Sequence, residues 1–205
     1  QCGAARDADT ALSIVYPILD ALAAMHKMDL VHRAVTPKNI ILTTDNSVKL
    51  INFVFLKEAS AYKESEMTIY FSPGYAPYEQ YVSRERRGLY SDIYSVGAVL
   101  FRMLVGQTPP DAVGRKNEDT LRAILDQTGI PQYLKLCICK AMDMNKDVRF
   151  KSASDFKKAL RQETELVDID SIIDQKNRVK QIAIYALIAL LGVVIVVLLF
   201  GIFKK

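Results

Sequence analysis

Apolar residues recur at three- and four-residue steps near the start of the chain: Leu12, Val15, Leu19, Leu22 and Met25. That spacing places them on one helical face and predicts a helix starting at Asp9 or Thr10, either of which can cap its free N–H groups. Pro17 lies inside the pattern. It removes one backbone donor and predicts a kink or a delayed start. The period then changes. Asn39-Ile40-Ile41-Leu42-Thr43 and Val48-Lys49-Leu50-Ile51 are short β-type runs about Asp45-Asn46, which predicts a hairpin. Asn52 to Glu79 has little helical periodicity and reads as one irregular segment. Helical spacing returns from Ser91 to Val105 and stops at Gly106. Pro109-Pro110 and Gly114 mark a loop, and 118–127 and 131–142 read as two more helices. Ser152-Ala153-Ser154-Asp155 has the capping-box pattern ahead of a last helix reaching about Leu160.

Beyond that helix the pattern changes in kind. Residues 164–181 are polar and charged, interrupted by Ile172-Ile173, and read as a linker. Ile182 to Phe203 is an apolar run without a charge, long enough to cross a bilayer as a helix, which takes about 20 residues. Its C-terminal position argues against a signal peptide. Arg178 and Lys180 precede it and Lys204 and Lys205 follow it, so the Lys/Arg rule gives no orientation.

Composition adds exclusions. The net charge is +4, of which Lys204 and Lys205 supply two, so the remainder is near neutral and no nucleic-acid partner follows from charge. The three cysteines, Cys2, Cys137 and Cys139, do not form an even disulfide framework. Cys137-Ile138-Cys139 has the wrong spacing for a zinc knuckle, and its neighbours are apolar, so these read as reduced thiols in or near a helix core. The chain has only two histidines, which also argues against a metal site.

The candidate chemistry lies in His32-Arg33-Ala34-Val35-Thr36-Pro37-Lys38-Asn39 and in Lys49-Leu50-Ile51-Asn52-Phe53-Val54. These resemble the protein-kinase signatures H-R-D-L-x-x-x-N and D-F-G with both aspartates replaced, by Ala34 and Asn52, and the glycine by Val54. Ser72 to Tyr81 (S-P-G-Y-A-P-Y-E-Q-Y) resembles the A-P-E end of an activation segment, with Tyr78 beside Glu79. Tyr90 to Gly97 is similar to the start of the large central helix of the kinase C-lobe, and Asp147 to Ala153 to an element before its last helix. The motifs stand in order over roughly residues 8–163, and their wording is most similar to bacterial eukaryotic-like Ser/Thr kinases.

The resemblance implies a mainly α fold. Residues 1–163 form a kinase-like C-lobe, helical with a short β-hairpin. A juxtamembrane linker (164–181), a single transmembrane helix (182–203) and a basic tail (204–205) follow. No Gly-rich loop or V-A-I-K lysine occurs, so an N-lobe upstream of Gln1 is expected, the alternative being a natural protein with a C-lobe only. In this family a loop aspartate accepts the substrate proton, while the D-F-G aspartate and the loop asparagine hold Mg²⁺ on the ATP phosphates. Ala34 stands at the first position, Asn52 at the second and Asn39 at the third. Thr36 stands where many kinases carry a lysine. ATP and Mg²⁺ are therefore expected only if the full protein keeps a nucleotide cleft. His32 and Phe53 match spine residues, and Asp92 matches the residue that anchors the catalytic loop. Glu79 and Arg149 match a structural ion pair, and Arg33 matches the partner of an activation-loop phosphate. Thr68 and Ser72 are candidate phosphoacceptors, their plainer reading being ordinary loop hydroxyls.

The resulting expectation is a membrane-anchored pseudokinase, its kinase-like part cytoplasmic, acting as scaffold or regulator. It would dock other proteins, such as an active kinase or its substrates. The alternative is an active or weakly active Ser/Thr kinase completed by the N-lobe. A third reading is a decayed remnant.

Overall fold

A computed structural model describes residues 7–52, 72–82, 88–166, 168 and 181. The chain divides into two units, Gln1–Leu166 and Val167–Lys205, and the elements below belong to the first. The expected span 182–203 and most of the expected linker lie outside the described residues.

Helix α1 (Ala8–His26) starts earlier than the sequence pattern suggests, because Asp7 rather than Asp9 or Thr10 caps it. The two Asp7 carboxylate oxygens accept from the Thr10 N–H at 2.8 Å and from its hydroxyl at 2.7 Å. The helix continues through Pro17, so the proline does not mark a delayed start. The carbonyl that loses its partner there is that of Ser13, on the exposed face, where water can replace the bond. Ala11, Leu12, Ile14, Val15, Ile18, Leu19 and Leu22 form the buried face, packed on α3 (Leu89–Val105) and α7 (Ala153–Leu160). Among the described residues α1 is the one helix long and apolar enough to cross a membrane, and here it serves as a core helix.

Helix α3 is the centre of the lobe, with every residue from Ser91 to Phe101 buried. At about 1.5–3 kcal/mol for each large apolar side chain taken from water, Ile93, Leu100 and Phe101 make it the main hydrophobic support. Gly97 lies mid-helix, where glycine is normally unfavourable. A Cβ there would come within 2.8 Å of the Ala141 Cβ and 2.9 Å of the Met142 Cγ, so the residue sets how closely α3 approaches α6 (Gln132–Ala141). Gly106 ends α3 in the left-handed region, φ +83°, its N–H returning to the Arg102 carbonyl at 3.0 Å.

The hairpin forms as the alternation suggests. β1 (Ile40–Leu42) pairs antiparallel with β2 (Val48–Leu50), Ile41 opposite Lys49, and Asn46 turns the chain at φ +61°. A short 3-10 turn, Pro37–Asn39, leads into β1. Three other local readings are revised. Within the irregular stretch, Tyr78–Val82 forms a short helix, α2. Residues Ala112–Arg115, expected as loop because of Gly114, make one helical turn, α4, capped by Asp111 and held by Arg115. The Arg115 guanidinium reaches Asp119 at 2.7 Å, the Met142 carbonyl at 2.9 Å and the Tyr94 hydroxyl at 3.1 Å. That same Asp119 takes the Leu121 N–H at 3.1 Å, so the helix expected over 118–127 shortens to α5, Leu121–Asp126. At α7 the Ser152 hydroxyl accepts from the Asp155 N–H at 3.0 Å and donates to its carboxylate at 2.8 Å, a one-sided version of the capping box.

On α6, Cys137 is fully buried and Cys139 half-buried. Burial pushes their thiols up to about 12 and about 11, so both are protonated near neutral pH and poorly nucleophilic. Cys2 lies outside the described residues.

Candidate functional site

The stretch from His32 to Asn39 is suspended from α3 by one side chain. Asp92, fully buried, accepts from the backbone N–H of His32 at 2.9 Å and of Arg33 at 2.7 Å. It also meets His26 Nε2 at 2.9 Å. Arg33 has φ +65°, a left-handed conformation that costs a non-glycine residue energy, and the bond to Asp92 helps to hold it there. The His32 ring is fully buried. Its Nδ1 accepts from the Ala34 N–H at 3.2 Å, so its proton resides on Nε2, which donates to the Ile51 carbonyl at 3.1 Å. Desolvation pushes the His32 pKa down, and the ring is a neutral strut between the loop and the end of β2.

Asn39 sits between Ala34 and Asn52. Its Nδ2 donates to the Ala34 carbonyl at 2.7 Å, and its own backbone carbonyl accepts from the Ile51 N–H at 2.9 Å. Asn52, at φ +57°, donates from Nδ2 to Asn39 Oδ1 at 3.1 Å. Asparagine tolerates that backbone region better than most side chains. These residues do not fit Mg²⁺ as they stand. The ion favours carboxylates in octahedral geometry and gives up water reluctantly. Here both side chains are neutral, and the Asn39 oxygen already faces an N–H donor.

Ala34 lines a small cavity of about 10 Å³, enough for one water, together with Arg33, Thr36, Ser72, Tyr75 and Ser95. The Arg33 Nε is buried there without a hydrogen-bond partner. Ser72 is thereby brought beside the loop, whereas Phe53, Val54 and Thr68 lie outside the described residues.

Glu79, on α2, meets Arg149 in a bidentate pair at 2.6 and 3.1 Å. The Arg149 side chain is fully buried and spends its other donors on the carbonyls of Asp143 at 2.7 Å and Tyr90 at 3.1 Å, over the Tyr94 ring. A second tie joins the same segment to α4. The Asp111 carboxylate accepts from the Gly74 N–H at 3.2 Å and the Tyr81 hydroxyl at 2.8 Å while also capping α4. Burial and that carboxylate push the Tyr81 phenol up, so it stays a donor. Gly74 has φ +83°, and a Cβ would meet the Pro109 carbonyl oxygen at 2.7 Å.

The sequence pattern assigns no role to His26, Asp111 or Tyr81. Position was the available signal for His26, one of two histidines and the last residue of α1. Asp111 follows Pro109-Pro110, where a cap is plausible, but its long-range partners have no local signature.

A helical lobe with a two-stranded hairpin directly after an Asp-anchored loop defines the fold of a protein kinase. The chain belongs to the protein kinase family: the family described as protein kinase domain matches residues 4–181. It is 34% identical over 137 residues to the serine/threonine-protein kinase PknL of Mycobacterium tuberculosis, covering 62% of this chain and 34% of that protein. It is 31% identical over 156 residues to the probable serine/threonine-protein kinase PknB of Bifidobacterium longum, covering 70% and 22%. Among solved structures it is similar to the apo form of PpkA-294, with TM-score 0.59, 28% identity and coverage of 72% of this chain and 52% of that one. The PknI kinase domain of Mycobacterium tuberculosis, at TM-score 0.56 and 20% identity, covering 78% of this chain and 58% of that one, shares the fold. The chain thus spans about a third or less of these curated relatives and just over half of the matched structures.

Proposed function

We propose that this chain is the helical lobe of a membrane-anchored pseudokinase that docks other proteins as a scaffold or regulator and transfers no phosphate at a useful rate. The observation that carries the reading is Ala34, whose methyl group stands within the Asp92-anchored loop where the family places a proton acceptor. Removing a positioned base typically costs about 10²–10⁴ in rate. The second loss, at Asn52, falls on the same transition state, so the two effects need not add. The supports of the loop are intact by contrast: Asp92 holds it, and Glu79 with Arg149 holds the segment beside it. Loss of the reacting groups beside a retained frame favours a binding role, with an active kinase or its substrates as partners.

The full-length protein assayed with labelled ATP and Mg²⁺ or Mn²⁺ gives no labelling above background, and the Ala34→Asp/Asn52→Asp double variant gains it. Strong labelling by the unmodified protein, abolished by Asn39→Ala, would overturn the reading in favour of an active kinase. Anchoring rests on the uncharged run from Ile182 to Phe203, and the lobe then faces the cytosol, where ATP and kinase partners are. In cell fractionation the protein stays in the membrane pellet after alkaline extraction, and a chain ending before Ile182 does not. Extraction of the full chain into the soluble fraction would remove the anchor from the proposal.

A further inference from the structure

The side-chain amides at the end of the catalytic-loop stretch form a directional chain. The Ala34 carbonyl can only accept, so the Asn39 group facing it at 2.7 Å must be the NH₂. That fixes the Asn39 oxygen on the opposite side, toward Asn52, and Asn52 must therefore present its own NH₂ at 3.1 Å. The sequence of donors is closed by the backbone and has one sense only. An aspartate at position 52 has no such donor and would set a carboxylate oxygen against the Asn39 oxygen. An ionised carboxylate in that place repels the Asn39 oxygen unless a cation lies between them or the side chain turns away into water.

We infer that the Asn52–Asn39 bond stands in for a metal ion: it fastens the loop to the end of β2 with no cation, and one carboxylate at position 52 converts that fastening into a divalent-cation site. The inference takes from the preceding section only that positions 39 and 52 are the family's metal-ligand positions. Its readout is binding and stability rather than phosphotransfer, so either can fail without the other. The neighbouring contacts support a cation-free fastening. The Ile51 N–H to Asn39 carbonyl bond at 2.9 Å and the His32 to Ile51 bond at 3.1 Å join the same two stretches without any ion. All the groups that meet there are neutral, and a neutral oxygen already holding an N–H is a poor competitor for a strongly hydrated cation.

The test compares the full chain with Asn52→Asp and Asn52→Ala in detergent micelles, each purified in Mg²⁺ and then chelated. The unmodified protein melts at the same temperature in EDTA and in millimolar Mg²⁺. Asn52→Asp melts about 2–4 °C lower in EDTA, the shift expected for one lost hydrogen bond in a chain of this size, and recovers in Mg²⁺. Asn52→Ala is lowered in both and does not recover. Millimolar Mn²⁺ broadens the Asn39 side-chain NH₂ resonance of Asn52→Asp and leaves that of the unmodified protein sharp. A Mg²⁺-dependent rise in the melting temperature of the unmodified protein, or Mn²⁺ broadening of its Asn39 signal, overturns the inference. So does an Asn52→Asp variant indifferent to both ions.

Discussion

Arg149→Ala lowers the stability of the lobe by about 3–5 kcal/mol, and its melting temperature by on the order of 10 °C. The side chain is fully buried, and its removal strands the Glu79 carboxylate and the Asp143 carbonyl and takes one donor from the Tyr90 carbonyl. The stranded carboxylate dominates, because a buried anion without its counterion loses solvation and partner together. Ser91 still donates to Glu79 Oε1 at 3.2 Å, but one hydroxyl cannot replace a bidentate guanidinium. The double variant Glu79→Leu/Arg149→Met recovers most of the charge penalty but not the two carbonyl bonds, so it lies between the parent and Arg149→Ala. Urea denaturation of the three proteins checks the order. An Arg149→Ala midpoint within error of the parent would show that the pair contributes nothing to holding α2.

Asp92→Ala has the next largest effect, about 3–5 kcal/mol, at roughly 1–3 kcal/mol for each buried group left without a partner. It removes the acceptor for the N–H groups of His32 and Arg33 and for the His26 ring. Arg33 would keep a strained backbone conformation without the bond that holds its own N–H. Asp92→Asn keeps one acceptor oxygen and recovers part of the loss. Amide hydrogen exchange locates the damage: protection at His32 and Arg33 disappears in Asp92→Ala while the α3 core from Val96 to Phe101 stays slow. Unchanged protection at those two amides would mean that the loop keeps its shape without the anchor.

What could be read from the sequence follows the range of the interaction. The hairpin, the stop at Gly106 and the cap at Ser152 depend on residues within a few positions, and their residue types show them. The start of α1 was misplaced because Asp7, Asp9 and Thr10 are all competent caps, and only the extended backbone at Asp7 distinguishes them. Pro17 suggested a kink or a delayed start; the start is not delayed, because the cost of the proline depends on whether the orphaned carbonyl reaches water, a tertiary fact. The α4 turn was hidden by Gly114, and what holds it is Arg115 reaching across to Met142 and Tyr94. At the site, the motif spelling picked out Ala34, Asn39 and Asn52 separately. Their amide chain joins residues from two elements with an orientation set by a backbone carbonyl, and no sequence pattern records it. The same holds for His26, which meets Asp92 only because α1 and α3 cross there.

The Asp111 carboxylate grips Gly74 near one end of the segment from Ser72 to Val82 and Tyr81 near the other. A pull on either end therefore reaches the far end through a single rigid post, bypassing the peptide links between. A protein leaning on α4 would shift both grips together, and with them Ser72 and Tyr75 in the wall of the cavity beside Ala34.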